Sequence, residues 1–188
     1  MDEGQKLMRE ELDKKLVETY PELYADRFGD MKETLMCWGF DCDDGWYSII
    51  DTLSCALTMS HRSAKESLEY WTNNLGKEMW KDQVGTQEDI NKAQKKLNET
   101  PCPVAVQVKE KYGTLRFYVN GATDAQYNYI DFAELMSGRT CEVCGKPGQT
   151  YYMGWHRTLC EKHADENYGE DAADYRNKTG MWSKDEKV

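Results

Sequence analysis

Histidine is scarce in this 188-residue chain, with three copies, and proline occurs four times. So few imidazoles leave few candidates for a general base near neutral pH. There is no G-x-S-x-G elbow, no Walker loop and no H-E-x-x-H pair. No internal repeat or low-complexity tract occurs, and no apolar run approaches the length of a membrane span. Basic residues are also in deficit: 24 Lys and Arg face 34 Asp and Glu, a formal charge of −10. That balance disfavours direct nucleic-acid binding, which needs cations against phosphate, and equally an anionic membrane surface. Between Glu33 and His61 there is no Lys or Arg at all. Residues 1–60 hold 14 acids against 6 bases, whereas residues 61–188 hold 20 against 18. Asp41, Asp43, Asp44 and Asp51 lie in the base-free stretch. They are the candidate contact surface for a basic protein partner, since one-sign surfaces speed association with the opposite sign. A merely solvating acidic surface is the alternative.

What the chain does have is a C-x2-C-x15-C-x2-H array: Cys141, Cys144, Cys160 and His163. Gly145, just past the second cysteine, permits the sharp turn that lets two thiolates grip one ion. Cys160 and His163 stand one helical turn apart, on one face. Three sulfurs and a nitrogen form a closed tetrahedral set of the kind structural zinc prefers. The sequence therefore predicts one structural Zn2+, with on the order of 10 kcal/mol of folding free energy supplied by its binding. His156 is an alternative fourth ligand. Cys37, Cys42 and Cys55 fit no familiar ligand spacing and read as buried free thiols, and Cys102 has no role assigned by the sequence. Seven cysteines, an odd number, and a polar, acidic start at Met1-Asp2-Glu3-Gly4 argue against a secreted disulfide scaffold and for a reducing cytoplasm. Asp41-Cys42-Asp43-Asp44-Gly45 lacks the register of a calcium loop.

The periodicity predicts an α+β protein: a helical N-terminal part, a β-hairpin plus helix, and a zinc-ribbon or knuckle-like module. Four regions follow: 1–100, 101–138, 139–170 and a polar tail, 171–188. Leu7, Met8, Leu12, Leu16 and Val17 mark a helix over 3–19, and Pro21 precedes a short turn from Tyr24 to Phe28. Trp38 to Trp46 reads as a loop. Helices are expected over 46–58 and 62–81, the second carrying Leu68, Trp71, Leu75 and Met79, and over 87–97. His61 reads as a helix-end residue. Strands are expected over 104–109 and 114–119 around a turn at Lys111-Tyr112-Gly113. Asp124 is the expected cap of a helix through Tyr129, Phe132, Ala133 and Met136 that ends at Gly138. Two short strands flank Gly154, and a helix opens at Leu159 or Cys160. Trp182 is the only large anchor expected in the tail; Trp71, Trp80 and Trp182 are exposed-looking aromatics whose default roles are core and tail docking.

Three blocks resemble a family of small phage and prophage proteins: Asp43-Asp44-Gly45-Trp46-Tyr47-Ser48-Ile49-Ile50-Asp51, the segment from Val106 to Val119, and Arg139-Thr140-Cys141-Glu142-Val143-Cys144-Gly145 with Trp155, Thr158-Leu159-Cys160 and His163. The likeness covers roughly residues 40–164. Residues 60–100 look like a helical insertion. The resemblance implies a phage-encoded protein acting in the cytoplasm of a bacterial host. The nearest specific likeness is to zinc-containing anti-CRISPR proteins that act on the Cas9 effector. A Cas9-type enzyme holds its guide–target duplex in a basic channel. The expected function is therefore a non-enzymatic inhibitor that docks there and blocks DNA loading. Two alternatives remain open. One is a zinc-ribbon adaptor for a host transcription or replication protein. The other is a zinc-dependent nuclease or deaminase, which would need an open zinc position and a base such as Glu161; deaminases carry an H-x-E that is missing here.

Overall fold

The computed structural model describes residues 8–78 and 84–179. They form an α+β protein with two hydrophobic cores. Among these residues no helix is long and apolar enough to cross a membrane.

The larger core is built on a three-stranded sheet of order β1-β2-β3, with β1 Phe40–Asp41, β2 Val104–Lys111 and β3 Thr114–Asn120. β2 and β3 form the predicted hairpin. Tyr112 and Gly113 both have positive φ, 56° and 80°, as a two-residue I′ turn requires. Leu115, Phe117 and Val119 alternate into the core from β3. On β2 the buried pair is Ala105 and Val108, an odd spacing for a strand. A bulge at Val106 reconciles it, because Ala105 pairs with Val119 while Gln107 pairs with Tyr118. The loop expected over 38–46 contains a strand: Phe40 pairs in parallel with Val108. Two residues are too few to show an alternation in sequence. Tyr24 meets Phe40 edge-on at 5.1 Å and shares a 2.6 Å hydrogen bond with Ser54, all inside this core.

Helix α1, Glu10–Thr19, buries Leu16; Leu7 of the predicted helix lies outside the described residues. The expected short turn is a 3-10 turn, Ala25–Phe28. The two helices expected over 46–58 and 62–81 are one, α2, Tyr47–Asn73. Nothing between Thr58 and Arg62 breaks a helix, as no Gly or Pro lies there. α2 stops eight residues before the predicted end: Asn74 bonds back to Tyr70 O through its side chain, and Gly76 takes φ +69°. Met79 and Trp80 lie outside the described residues. His61 is therefore mid-helix, and its Nδ1 meets Thr100 O at 2.7 Å. Helix α3, Gln87–Asn98, returns along α2 behind a Thr86–Asp89 capping box.

Helix α4, Asp124–Ser137, is capped by Thr123 rather than Asp124. Thr123 and Gln126 form a reciprocal capping box. Its buried stripe is Gln126, Ile130, Ala133 and Ser137. Tyr129, Phe132 and Met136 are exposed. Polar residues sit on the inner face because they have partners there: Gln126 donates to Leu57 O at 2.9 Å, and Ser137 Oγ accepts from Leu115 N at 2.8 Å. Glu134 accepts from Phe117 N at 3.0 Å, so α4 closes the edge of β3.

The smaller core belongs to the C-terminal module. It comprises the hairpin β4 Gln149–Met153 and β5 Trp155–Leu159, then α5 Glu161–Tyr168 and α6 Glu170–Thr179. α6 lies where a polar tail was expected. Its polar sequence hides two inward contacts: Ala172 is buried, and Tyr175 packs 5.3 Å from Tyr151. Arg176 ties it to Asp165 at 2.8 Å. Trp182 lies outside the described residues.

Candidate metal centre

The knuckle is a backbone construction. Gly145 N donates to Cys141 O at 2.8 Å, and Cys141 N donates to Lys146 O at 2.8 Å. Gly145 sits at φ +73°, which a Cβ would oppose. This loop presents Cys141 and Cys144 to one point. From the other side, Cys160 is the N-cap residue of α5, and His163 lies on its first turn.

The ligand atoms of these four residues lie within 4.8 Å of one another. Cys144 and Cys160 sulfurs are 3.8 Å apart, and His163 Nδ1 is 3.3 Å from Cys141 Sγ and 3.4 Å from Cys160 Sγ. A tetrahedral ion with metal–sulfur bonds of about 2.3 Å has sulfur–sulfur edges of about 3.8 Å and sulfur–nitrogen edges of about 3.6 Å. The four residues can hold one metal ion. Nδ1 is the ligand atom. Nε2 faces away from the sulfurs, 3.9 Å from Glu166 Oε2.

The thiols differ. Burial pushes Cys141 up to about 12. At Cys160 burial also acts upward, but hydrogen bonds from the His163 backbone N–H, the Cys141 and Cys144 thiols and the Lys162 backbone N–H together outweigh it and lower the thiol. An ion taken up here displaces thiol protons.

His156 does not join the set. It stands on β5, 4.8 Å from the Tyr152 ring and 6.0 Å from the Tyr112 ring. Cys37, Cys42, Cys55 and Cys102 are also apart from it and unbridged; Cys37 donates to Thr34 O, and Cys42 is fully buried in the larger core. Among the described residues the Cys141–His163 set is the one metal-type cluster.

The seat of the knuckle comes from the other end of the chain. Gly45 N donates to Glu142 O at 2.7 Å, and Trp46 Nε1 donates to Thr140 O at 2.8 Å. A Cβ on Gly45 would stand 2.3 Å from both Cys141 O and Glu142 O. Asp43 receives Arg157 at 3.3 Å, and Arg157 Nε lies 3.9 Å from Glu142. Burial, then the neighbouring Asp43, pushes Glu142 up to about 8; burial, then Asp44, pushes Asp43 up to about 6. The other side of the module rests on the β2–β3 turn, where Thr158 Oγ1 donates to Gly113 O at 2.5 Å.

Three of the four acids singled out in sequence thus have intramolecular partners. Asp43 pairs with Arg157, Asp44 accepts from Arg9 N at 2.9 Å, and Asp51 accepts from Tyr20 OH at 2.9 Å. Asp41 lies on β1 opposite Lys109, partly buried, and burial raises its carboxyl. The sequence offered no sign of Arg157 or Glu142 as members of this cluster. Their signal is weak, because an Arg and a Glu fifteen residues apart look like surface residues until the fold brings Asp43 between them.

Compared with protein-family models, with curated proteins and with solved structures, the chain matches none.

Proposed function

We propose that this protein acts by binding, with a structural zinc ion holding its C-terminal module on the larger core. The support is the convergence of Cys141, Cys144, Cys160 and His163, whose separations of 3.3–3.8 Å are close to the edges of a tetrahedral zinc site. A set of four protein ligands leaves zinc no open position for water or substrate. The buried titratable groups beside it, Asp43, Glu142 and Arg157, are engaged with one another in seating the knuckle. Three sulfurs and one imidazole suit zinc better than harder ions.

The partner is a cationic protein surface, in keeping with the charge of −10. The resemblance of the three sequence blocks makes a Cas9-type effector in a bacterial cytoplasm the first partner to test, with occlusion of its basic nucleic-acid channel as the mode of action. Cas9 cleavage is measured with increasing metal-loaded protein, alongside a sizing column. Inhibition with a stable complex is the expected result. Full cleavage at saturating protein, with no complex on the column, refutes the partner. One zinc per chain, removed by a chelator together with the fold of residues 139–179, is the expected metal result. Turnover that depends on metal while the fold stays unchanged refutes the structural role.

A further inference from the structure

The four side chains of the metal centre are unequally sheltered. Cys141 is 0% exposed and Cys160 7%, and 15% of the His163 side chain is exposed, whereas Cys144 stands open to solvent. A solute that reaches this centre therefore meets the Cys144 sulfur first. As a metal ligand Cys144 is a thiolate, the nucleophilic form of cysteine. A second sulfur, on Cys160, lies 3.8 Å behind it. An accessible thiolate with a resolving cysteine beside it is the arrangement that oxidants attack selectively. The chain can take a bond between the two. A disulfide holds its sulfurs about 2 Å apart, so the pair has roughly 2 Å to close. Cys160 directly follows Leu159, which pairs with Gln149 at the open end of the β4–β5 hairpin. The bridge would therefore join segments that the hairpin already holds together. Cys141 is the poorer resolving group. It is fully buried, and its N–H and C=O are engaged with Lys146 O and Gly145 N in shaping the knuckle.

We propose that Cys144 is an oxidation site for hydrogen peroxide, and that its oxidation unlatches the C-terminal module. The Cys144 sulfur attacks one peroxide oxygen. The O–O bond breaks, hydroxide leaves, and Cys144 becomes a sulfenic acid. The Cys160 sulfur then attacks the Cys144 sulfur. The S–O bond breaks, a second hydroxide leaves, and the disulfide forms. Each hydroxide takes a proton from solvent, so two thiolates, one peroxide and two protons give one disulfide and two waters. The two sulfurs together lose the two electrons that the peroxide gains. Only Cys141 and His163 then remain as ligands, too few for a closed site. The disturbance reaches the seat as well, because Cys144 N packs against Gly45, 2.6 Å from where a Cβ on that glycine would stand. This regulation deepens the structural role proposed above for the ion and rests on it.

Hydrogen peroxide is titrated into the full chain loaded with zinc. Released zinc is read with a colorimetric indicator, and the bridge by mass spectrometry of unreduced peptides. One zinc is expected to leave for each Cys144–Cys160 bridge formed. Dithiothreitol with added zinc is expected to reverse both. Cys144→His replaces the exposed sulfur by an imidazole and keeps a closed set of two sulfurs and two nitrogens. That variant is expected to hold zinc and to release it to peroxide at least ~10-fold more slowly than the wild type. Should it bind no zinc, the wild-type peptide map decides alone. A bridge from Cys144 to Cys141, oxidation of Cys144 with no bridge, or a Cys144→His protein that releases zinc as fast as the wild type overturns the proposal. Zinc that is bound, is needed for the fold and stays in place under peroxide removes the latch and leaves the structural role standing. A chain that takes up no zinc before peroxide is added removes both.

Discussion

Gly45→Ala tests how the metal module is attached. The backbone at Gly45 is not in the left-handed region, so alanine meets no conformational strain there. The cost is contact alone. A Cβ would lie 2.3 Å from two carbonyl oxygens and 2.6 Å from Cys144 N, all of them backbone atoms of the knuckle. None can rotate away as a side-chain tip could. The knuckle must retreat by about 1 Å to restore ordinary van der Waals separation. That retreat breaks the Gly45–Glu142 bond of 2.7 Å and the Trp46–Thr140 bond of 2.8 Å. At about 1 kcal/mol for each bond, plus lost packing, the expected destabilisation is about 2–3 kcal/mol. For a chain of this size that is a fall in Tm of about 5–10 °C. Denaturant and thermal unfolding of the metal-loaded protein measure it. Chelator competition should return nearly the wild-type metal affinity, because all four ligands lie within the module. Gly154→Ala is the control. Its φ of +75° strains alanine, but nothing lies within 4 Å of the added Cβ, so the cost is about 1 kcal/mol. A Gly45→Ala protein as stable as the wild type, or no less stable than Gly154→Ala, refutes the seat.

Further outcomes follow from single residues. Cys160→Ser should weaken metal retention by more than ~100-fold, as one thiolate of a closed set is lost, and metal content after dialysis against a chelator reads it. Thr123→Ala should cost about 1 kcal/mol in urea unfolding, since it removes the acceptor of the Gln126 N–H at the start of α4. Tyr24→Phe should cost about 1 kcal/mol at neutral pH by deleting the buried bond to Ser54. It should also alter the alkaline limb of the stability profile. Burial raises the Tyr24 phenol well above its ordinary value, so the folded chain holds its proton after the unfolded chain has released it. Stability from this group is full below about pH 10 and declines above it. Phenylalanine removes that share of the decline, and an identical slope in both proteins refutes the burial argument.

The metal set was legible because its four residues lie close in sequence and carry their own turn glycine. The hairpin was legible from the alternation of Leu115, Phe117 and Val119 and from Gly113. What the sequence concealed was long-range. β1 exists because Val108 offers an edge to Phe40, nearly seventy residues earlier. Asp43 and Asp44 looked like free surface acids, but charge alone cannot tell a solvated carboxylate from one with Arg157 or Arg9 against it. α6 was hidden for the opposite reason: its inner face is one small residue, Ala172, with Tyr175 and the stem of Arg176, so its apolar stripe is faint. On α4 the helix was read from Tyr129, Phe132, Ala133 and Met136, whereas Gln126 and Ser137 share its inner face with Ala133 through hydrogen bonds that no hydropathy pattern records.

The order in which the parts leave the ribosome gives the glycine seat a further meaning. The larger core that carries residues 43–46 is complete by Ala133, so the receiving platform lies wholly ahead of the cysteines in the chain. Capture of the ion then needs closure of only the fifteen-residue segment between Cys144 and Cys160. Without the ion, chains would accumulate with the larger core formed and the C-terminal module unlatched, a distinct species for proteases to find.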